Sequence, residues 1–171
     1  EQRFRELTDL LPQPVFEADI LGRISFANRS ALETFQYDEG TVRSGLNIGQ
    51  MIAPADRERA VRAYQGFIAG SGRSGNEFMA QRRDGSTFPV MIYSSIVRRK
   101  NEIVGIRGII VDITERKASE AALRSSEERH RMLVEQANDG IVLSDIQSGI
   151  ILEANERSAE LAGTTVDRLV G

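Results

Sequence analysis

The chain has no cysteine, no tryptophan and a single histidine in 171 residues. Without cysteine there can be no disulfide, no thiol nucleophile and no thiolate bound to a metal. A reducing compartment fits that lack. No apolar run approaches the ~18 residues that a membrane helix needs. Charge of one sign is also missing. The 22 basic and 25 acidic residues are intermixed and leave a net charge of −3. No basic stripe points to nucleic acid, and there is no acidic tail. No two carboxylates stand at the spacing of a catalytic pair. Gly70–Gly75 lacks the Lys-Ser/Thr of a phosphate loop and precedes a strand rather than a helix.

What is there centres on one junction. Gly108–Ile113 is β-branched and apolar, a buried strand by composition. From Glu115 the chain runs without Gly or Pro to Ala137 and is rich in Ala, Glu, Arg and Lys. That composition predicts a helix over 115–137, roughly 35 Å long. Thr114 is its expected N-cap, and Glu115 suits the positive end of the helix dipole. A buried strand fused to an exposed helix can act as a lever.

The remainder is ordered around that lever. Residues 2–11 place Phe4, Leu7, Leu10 and Leu11 on one helical face, and Pro12 and Pro14 end the helix. Strands are predicted at 15–20 and 23–27, then a short helix at 29–35 capped by Asn28. Residues 37–51, with three glycines, read as irregular. A longer helix is expected near 56–69, with Ala60, Val61, Tyr64, Phe67 and Ile68 on its apolar side. Gly70–Gly75 reads as a flexible connector. Three strands follow, near 76–82, 87–98 and 102–113. Asp84-Gly85 marks a tight hairpin between the first two, and Arg99-Lys100-Asn101 turns the second into the third. Two strands, helices and three strands make an α+β domain of roughly 100 residues.

The pattern then begins again. Phe4-Arg5-Glu6-Leu7 matches His130-Arg131-Met132-Leu133, and Val15–Ile20 matches Ile141–Ile146 at the same offset. Ala27-Asn28 matches Ala154-Asn155 after a one-residue insertion. The second copy stops about a third of the way through. The chain opens on Glu1 rather than Met, as expected of a piece of a longer protein, and a membrane span elsewhere in that parent stays open.

Several of these features together resemble one family. They are the strand order, the Asn after the second strand, Tyr37 followed eight residues later by Gly45, Pro54-Ala55-Asp56-Arg57, Arg83-Asp84-Gly85, and Asp112-Ile113-Thr114-Glu115-Arg116-Lys117. The set is similar to the PAS sensory domain with its C-terminal PAC segment. The resemblance covers 2–117 in full and 130–171 as a partial second copy. It implies a five-stranded antiparallel sheet with helices on one face and a pocket beneath them. The domains would be 1–117, a PAS domain whose N-terminal helix is 2–11; 115–137, a linker helix; and 138–171, the start of a second PAS domain. The family serves as input to bacterial or archaeal histidine kinases, cyclic-di-GMP enzymes or chemoreceptors.

The resemblance and strand parity together define an expected pocket. Phe88, Val90, Ile92, Ser94 and Ile96 share one strand face, which in the family looks toward the helices. Phe16, Phe26, Phe35, Tyr64, Phe78, Val90, Ile92 and Ser94 are the expected lining. A ligand would be small and largely apolar, with Ser94 or Tyr64 as polar handles. Family members that bond flavin or a cinnamate-type chromophore need a cysteine, and haem binders usually supply a histidine from the long helix. This chain has neither, so no covalent flavin, no haem and no metal are expected. Tyr64 could ligate iron, but a packing role outweighs that reading. Non-covalent flavin stays open, although no tryptophan is there for the usual electron relay. His130 stands where the repeat has Phe4 and lacks a phosphoacceptor context, so a packing or seam role is favoured.

Function follows as an expectation. Asp112, Ile113 and Thr114 would relay a pocket change to the linker helix. Phe4, Leu7 and Leu11, on a helix of the same or a partner chain, would cover the outer sheet face, where Met91 and Tyr93 lie, with the protein a homodimer. Leu123, His130 and Leu133 give the linker helix a weak coiled-coil seam, a marginal one that a few kcal/mol could move. The reading is a non-enzymatic, cytoplasmic sensory and dimerising module acting on a downstream signalling domain, in this segment without membrane or nucleic acid. The alternative is a ligand-free interaction scaffold.

Overall fold

The computed structural model describes residues 2–171, with side chains from Glu6 onward. Helix α1 is Gln2–Asp9, followed by strands β1, Val15–Asp19, and β2, Ile24–Ala27. Short helices α2, Arg29–Phe35, and α3, Glu39–Arg43, lead to two 3₁₀ turns, Ile48–Met51 and Pro54–Asp56. Helix α4 is Arg57–Ile68. Strands β3, Asn76–Gln81, β4, Thr87–Arg99, and β5, Glu102–Asp112, complete an antiparallel sheet in the order β2-β1-β5-β4-β3. Helix α5 is Thr114–Glu135, slightly shorter than expected at its C-terminal end. A second, two-stranded sheet pairs β6, Val142–Ser144, with β7, Ile151–Ala154; helices α6, Glu156–Ala162, and α7, Val166–Leu169, follow. The chain divides into two units, Glu1–Glu115 and Arg116–Gly171.

The first unit's core lies between the sheet and the helices. Phe16, Ala18, Ile24, Phe35, Phe78, Phe88, Val90, Ile106 and Ile110 are all buried in one cluster. Parity in β4 and β5 explains it: Val90, Ile106 and Ile110 turn inward while Tyr93, Arg107 and Ile109 are not buried. Gly108 is needed inside β5, since a Cβ there would sit 2.6 Å from the Phe16 ring. The turn at Lys100-Asn101 has positive φ at both residues, the backbone of a two-residue type I′ hairpin. On the outer face Glu17 and Arg107 stand opposite one another across β1 and β5, and Arg107 Nε donates to Glu17 at 2.6 Å.

Four sequence expectations change. The stretch 37–51 is not irregular: Asp38 caps α3 by accepting from Thr41 N, and Asn47 and Gln50 form a reciprocal capping box on the following 3₁₀ turn. The connector at 70–75 is held in place. Ser71 N and Gly72 N both donate to Gly66 O, and a Cβ on Gly72 would meet Phe67 N at 2.4 Å. Thr114 is the first residue of α5 rather than its cap. The acceptor is Asp112, whose Oδ1 takes Thr114 N at 2.8 Å and the Thr114 hydroxyl at 2.6 Å. Last, α1 does not lay its leucines on its own sheet. Leu7, Leu10 and Leu11 are exposed while Thr8 is buried. Phe4 lies outside the residues whose side chains are described.

Both units contain the same hydrogen-bond knot. Asn28 is fully buried; its Oδ1 accepts from Val15 N and Ala31 N, and its Nδ2 donates to Thr8 O and Gln13 O. Asn155 repeats this, accepting from Ile141 N and Ser158 N and donating to Val134 O and Asp139 O. A single amide thus satisfies a strand start, a helix start and two carbonyls, one of them in the preceding helix. Asp19 and Asp145 match as well, each accepting backbone N–H groups in the turn that follows its strand.

Candidate functional site

A cavity of about 300 Å³ opens between the sheet and α4 in the first unit. Phe16, Phe35, Tyr64, Phe78, Val90, Ile92 and Ser94 line it. Phe26 does not, and the reason is a β-bulge. The register between β1 and β2 shifts at Glu17/Ala18, so Ala18 faces Ile24 while Glu17 faces Phe26. One extra residue in β2 reverses parity after Ile24. Ala27, opposite Phe16, packs on the core in place of Phe26.

The sequence reading missed much of the remaining wall. Ile48, Met51 and Ile52 come from the 3₁₀ segment, and Ile20 and Leu21 from the β1–β2 turn. Ile20, Leu21 and Val61 line the cavity and are also exposed, so they form its mouth. The one available signal was the Asn47/Gln50 spacing, which marks a helical turn where glycines argue for a loop. Gln65, Arg73, Asn76 and Ser94 supply polar groups to the wall.

Helix α4 is pinned over the cavity at two points. At its N-terminal end Asp56 Oδ2 accepts Met79 N at 2.7 Å, and Asp56 Oδ1 pairs with Arg59. The Met79 N–H bond, with help from Arg59, holds the Asp56 carboxyl below its usual range. A lowered native pKa contributes stability above the unfolded value and loses it as pH falls through the native one. The stability difference between wild type and Asp56→Asn should therefore be constant from pH 7 to about 5 and shrink below about pH 4, where an unfolded aspartate protonates. Thermal melts across that range check it; a difference that grows in acid refutes it.

Farther along α4, the Tyr64 hydroxyl donates to the backbone carbonyl of Asp19. Burial, and then the Asp19 charge, push this phenol up to about 12. It stays protonated, with its hydrogen spent on β1. As a handle it can offer a ligand only its acceptor lone pairs. Ser94 is half-buried in the cavity wall, its own N–H donating to Ser74 Oγ at 2.8 Å.

The relay and seam residues have definite places. Ile113 is buried and donates its N–H to Pro89 O at 3.0 Å, while Asp112 and Thr114 form the cap. Leu123, His130 and Leu133 are exposed on α5. Among the described residues no group of His, Cys, Asp or Glu could hold a metal, and no helix is long and apolar enough to cross a membrane.

A five-stranded antiparallel sheet, helices over a cavity, and a last strand running into a helix agree with the family comparison. Family models described as PAS domain match residues 12–115 and again 128–171. The chain belongs to the PAS domain family, with one complete domain and part of a second. No curated protein matches it. Several solved structures do. A PAS domain from Colwellia psychrerythraea is 19% identical with a TM-score of 0.60, over 67% of this chain and 97% of that one. A sensory box histidine kinase/response regulator from Burkholderia thailandensis is 21% identical with a TM-score of 0.58, over 77% and 99%. A domain of a sensory box sensor histidine kinase/response regulator from Geobacter sulfurreducens is 18% identical with a TM-score of 0.54, over 65% and 92%. At these identities the likeness is one of fold.

Proposed function

We propose that this segment is the sensory input and dimerising module of a signalling protein, passing the state of its cavity through α5 to a downstream output domain. One observation carries the reading. Strand β5 lines the cavity with Ile106 and Ile110, and two residues beyond Ile110 its Asp112 carboxylate caps the first residue of α5. Whatever moves Ile110 therefore moves the root of the helix. An open apolar cavity favours sensing over a ligand-free scaffold. The exposed Leu7, Leu11, Tyr93, Ile109, Leu123 and Leu133 supply apolar surface for a second copy. A histidine kinase as output is supported by the fold shared with the Burkholderia and Geobacter proteins. A cytoplasmic setting belongs to the same proposal.

The test is output of the parent protein as α5 is shortened. Each residue removed turns everything downstream by roughly 100° and draws it in by about 1.5 Å. Removing Glu120–Ser126 nearly restores the phase and should keep regulation. Removing four residues shifts the seam by about half a heptad and should lock output on or off. Asp112→Ala and Thr114→Pro should cut the ligand-dependent change in output at least about fivefold with the first unit still folded. A steady fall with no recovery at seven residues would make α5 a tether and favour the scaffold.

A further inference from the structure

The cavity wall is unevenly charged. Among the described residues lining it, Arg73 carries the one formal charge, and there is no Asp or Glu. Among the described residues no carboxylate is paired with Arg73 either. Most arginines on a rim this exposed are simply solvated. This one is held from both sides. Gly72, just before it, donates to Gly66 O at 2.8 Å and lies so close to Phe67 that no Cβ fits. Ser74, just after it, accepts Ser94 N from β4 at 2.8 Å. The Arg73 carbonyl accepts from the Asn76 side chain at 2.7 Å. The backbone that carries the cation is thus tied to α4, β3 and β4 at the cavity wall.

We propose that the cavity takes an amphiphilic monoanion, a medium-chain carboxylate whose apolar chain lies among Phe16, Phe35, Phe78 and Val90 and whose head group sits at Arg73. The size agrees. An apolar cavity of 150 Å³ holds benzene, so about twice that volume holds roughly twelve non-hydrogen atoms, the size of decanoate. The charge agrees too, because a guanidinium on an otherwise neutral wall favours a carboxylate over an alcohol or an amine. The polar side chains of Asn76 and Ser94 on the same wall could bond the second oxygen. The identification deepens the sensory reading and rests on it, since it names what the cavity senses.

The experiment is calorimetric titration of the full chain with decanoate and with decanol, both below their aggregation concentrations. It uses wild type, Arg73→Gln, Arg73→Lys and Ala63→Trp, each checked for fold by circular dichroism. Decanoate should bind wild type, and Arg73→Gln should weaken it about tenfold. Arg73→Lys should recover most of the loss, and decanol should not distinguish the three. Ala63 lines the cavity, so Ala63→Trp should abolish binding of both ligands. Decanoate binding that ignores Arg73→Gln, or decanol binding without decanoate binding, overturns the head-group assignment but leaves an apolar cavity. Binding that survives Ala63→Trp places the chain on the surface and overturns the proposal. If wild type binds neither ligand, the ligand assignment is overturned, while the sensory reading is decided separately by the α5 deletions.

Discussion

Asn28→Ala should cost the first unit about 3 kcal/mol, a large share of the roughly 5–15 kcal/mol that holds a typical domain. The side chain is completely buried and makes four backbone hydrogen bonds, to Val15 N, Ala31 N, Thr8 O and Gln13 O. Alanine leaves Val15 N, Ala31 N and Gln13 O without partners in a space too tight for easy solvation, and leaves Thr8 O with only its bond from Leu11 N. Each such group costs about 1–3 kcal/mol before relaxation. Asn28→Asp keeps the two accepted bonds, loses the two donated ones and buries a charge, so it should be no milder. Urea unfolding of the full chain measures both. Asn155→Ala is the informative partner. It should speed amide exchange around Gln136 and Ile141 while leaving residues 6–112 unchanged, because its donated bond to Val134 O is made to the end of α5. Unchanged exchange there would mean that this knot does not anchor the end of α5 to β6 and α6 within the second unit.

Phe35→Ala should destabilise the first unit by about 4 kcal/mol. Phe35 is 1% exposed, packs on Phe88 with ring centroids 5.6 Å apart, and lines the cavity. Its removal adds void to a region that is already incompletely filled, so few neighbours can collapse into the gap. Phe35→Leu keeps most of the volume and should cost about 1.5 kcal/mol or less. Guanidinium unfolding separates the two. Equal losses would show that ring geometry against Phe88, rather than volume, is what matters at this position.

Much of the fold could be read in the residues themselves, because local chemistry dictates it. Alternation over residues 87–97 put Val90 and Ile92 on one face, the family resemblance turned that face inward, and both line the cavity. The Asn at the head of α2 and the Asp-Gly hairpin depend on interactions within a few residues, so their signals are local. The repeat pointed to a second copy of the first strands and helix. It did not show that Asn28 and Asn155 tie four chain segments together, because the four partners named for each are backbone groups that carry no sequence signature.

The misses have two kinds of cause, contacts between distant segments and elements too short to show a period. The flip of Phe26 comes from a bulge, a property of how two strands register rather than of either strand alone. Helix α3 has five residues, too few for periodicity to show, and glycine-rich sequence around it argued for a loop. Gly70–Gly75 reads as flexible by composition, yet it is fixed by the close approach of Gly72 to α4. That contact also decides where Arg73 stands. By itself the sequence determined the order of the strands, the strand-to-helix junction, the apolar character of the cavity and the lack of thiol chemistry. Only the tertiary structure decided which side chains share the cavity and that, among the described residues, a single arginine is the charge on the wall. Each of these depends on distances between segments that lie far apart along the chain, and only folding sets those distances.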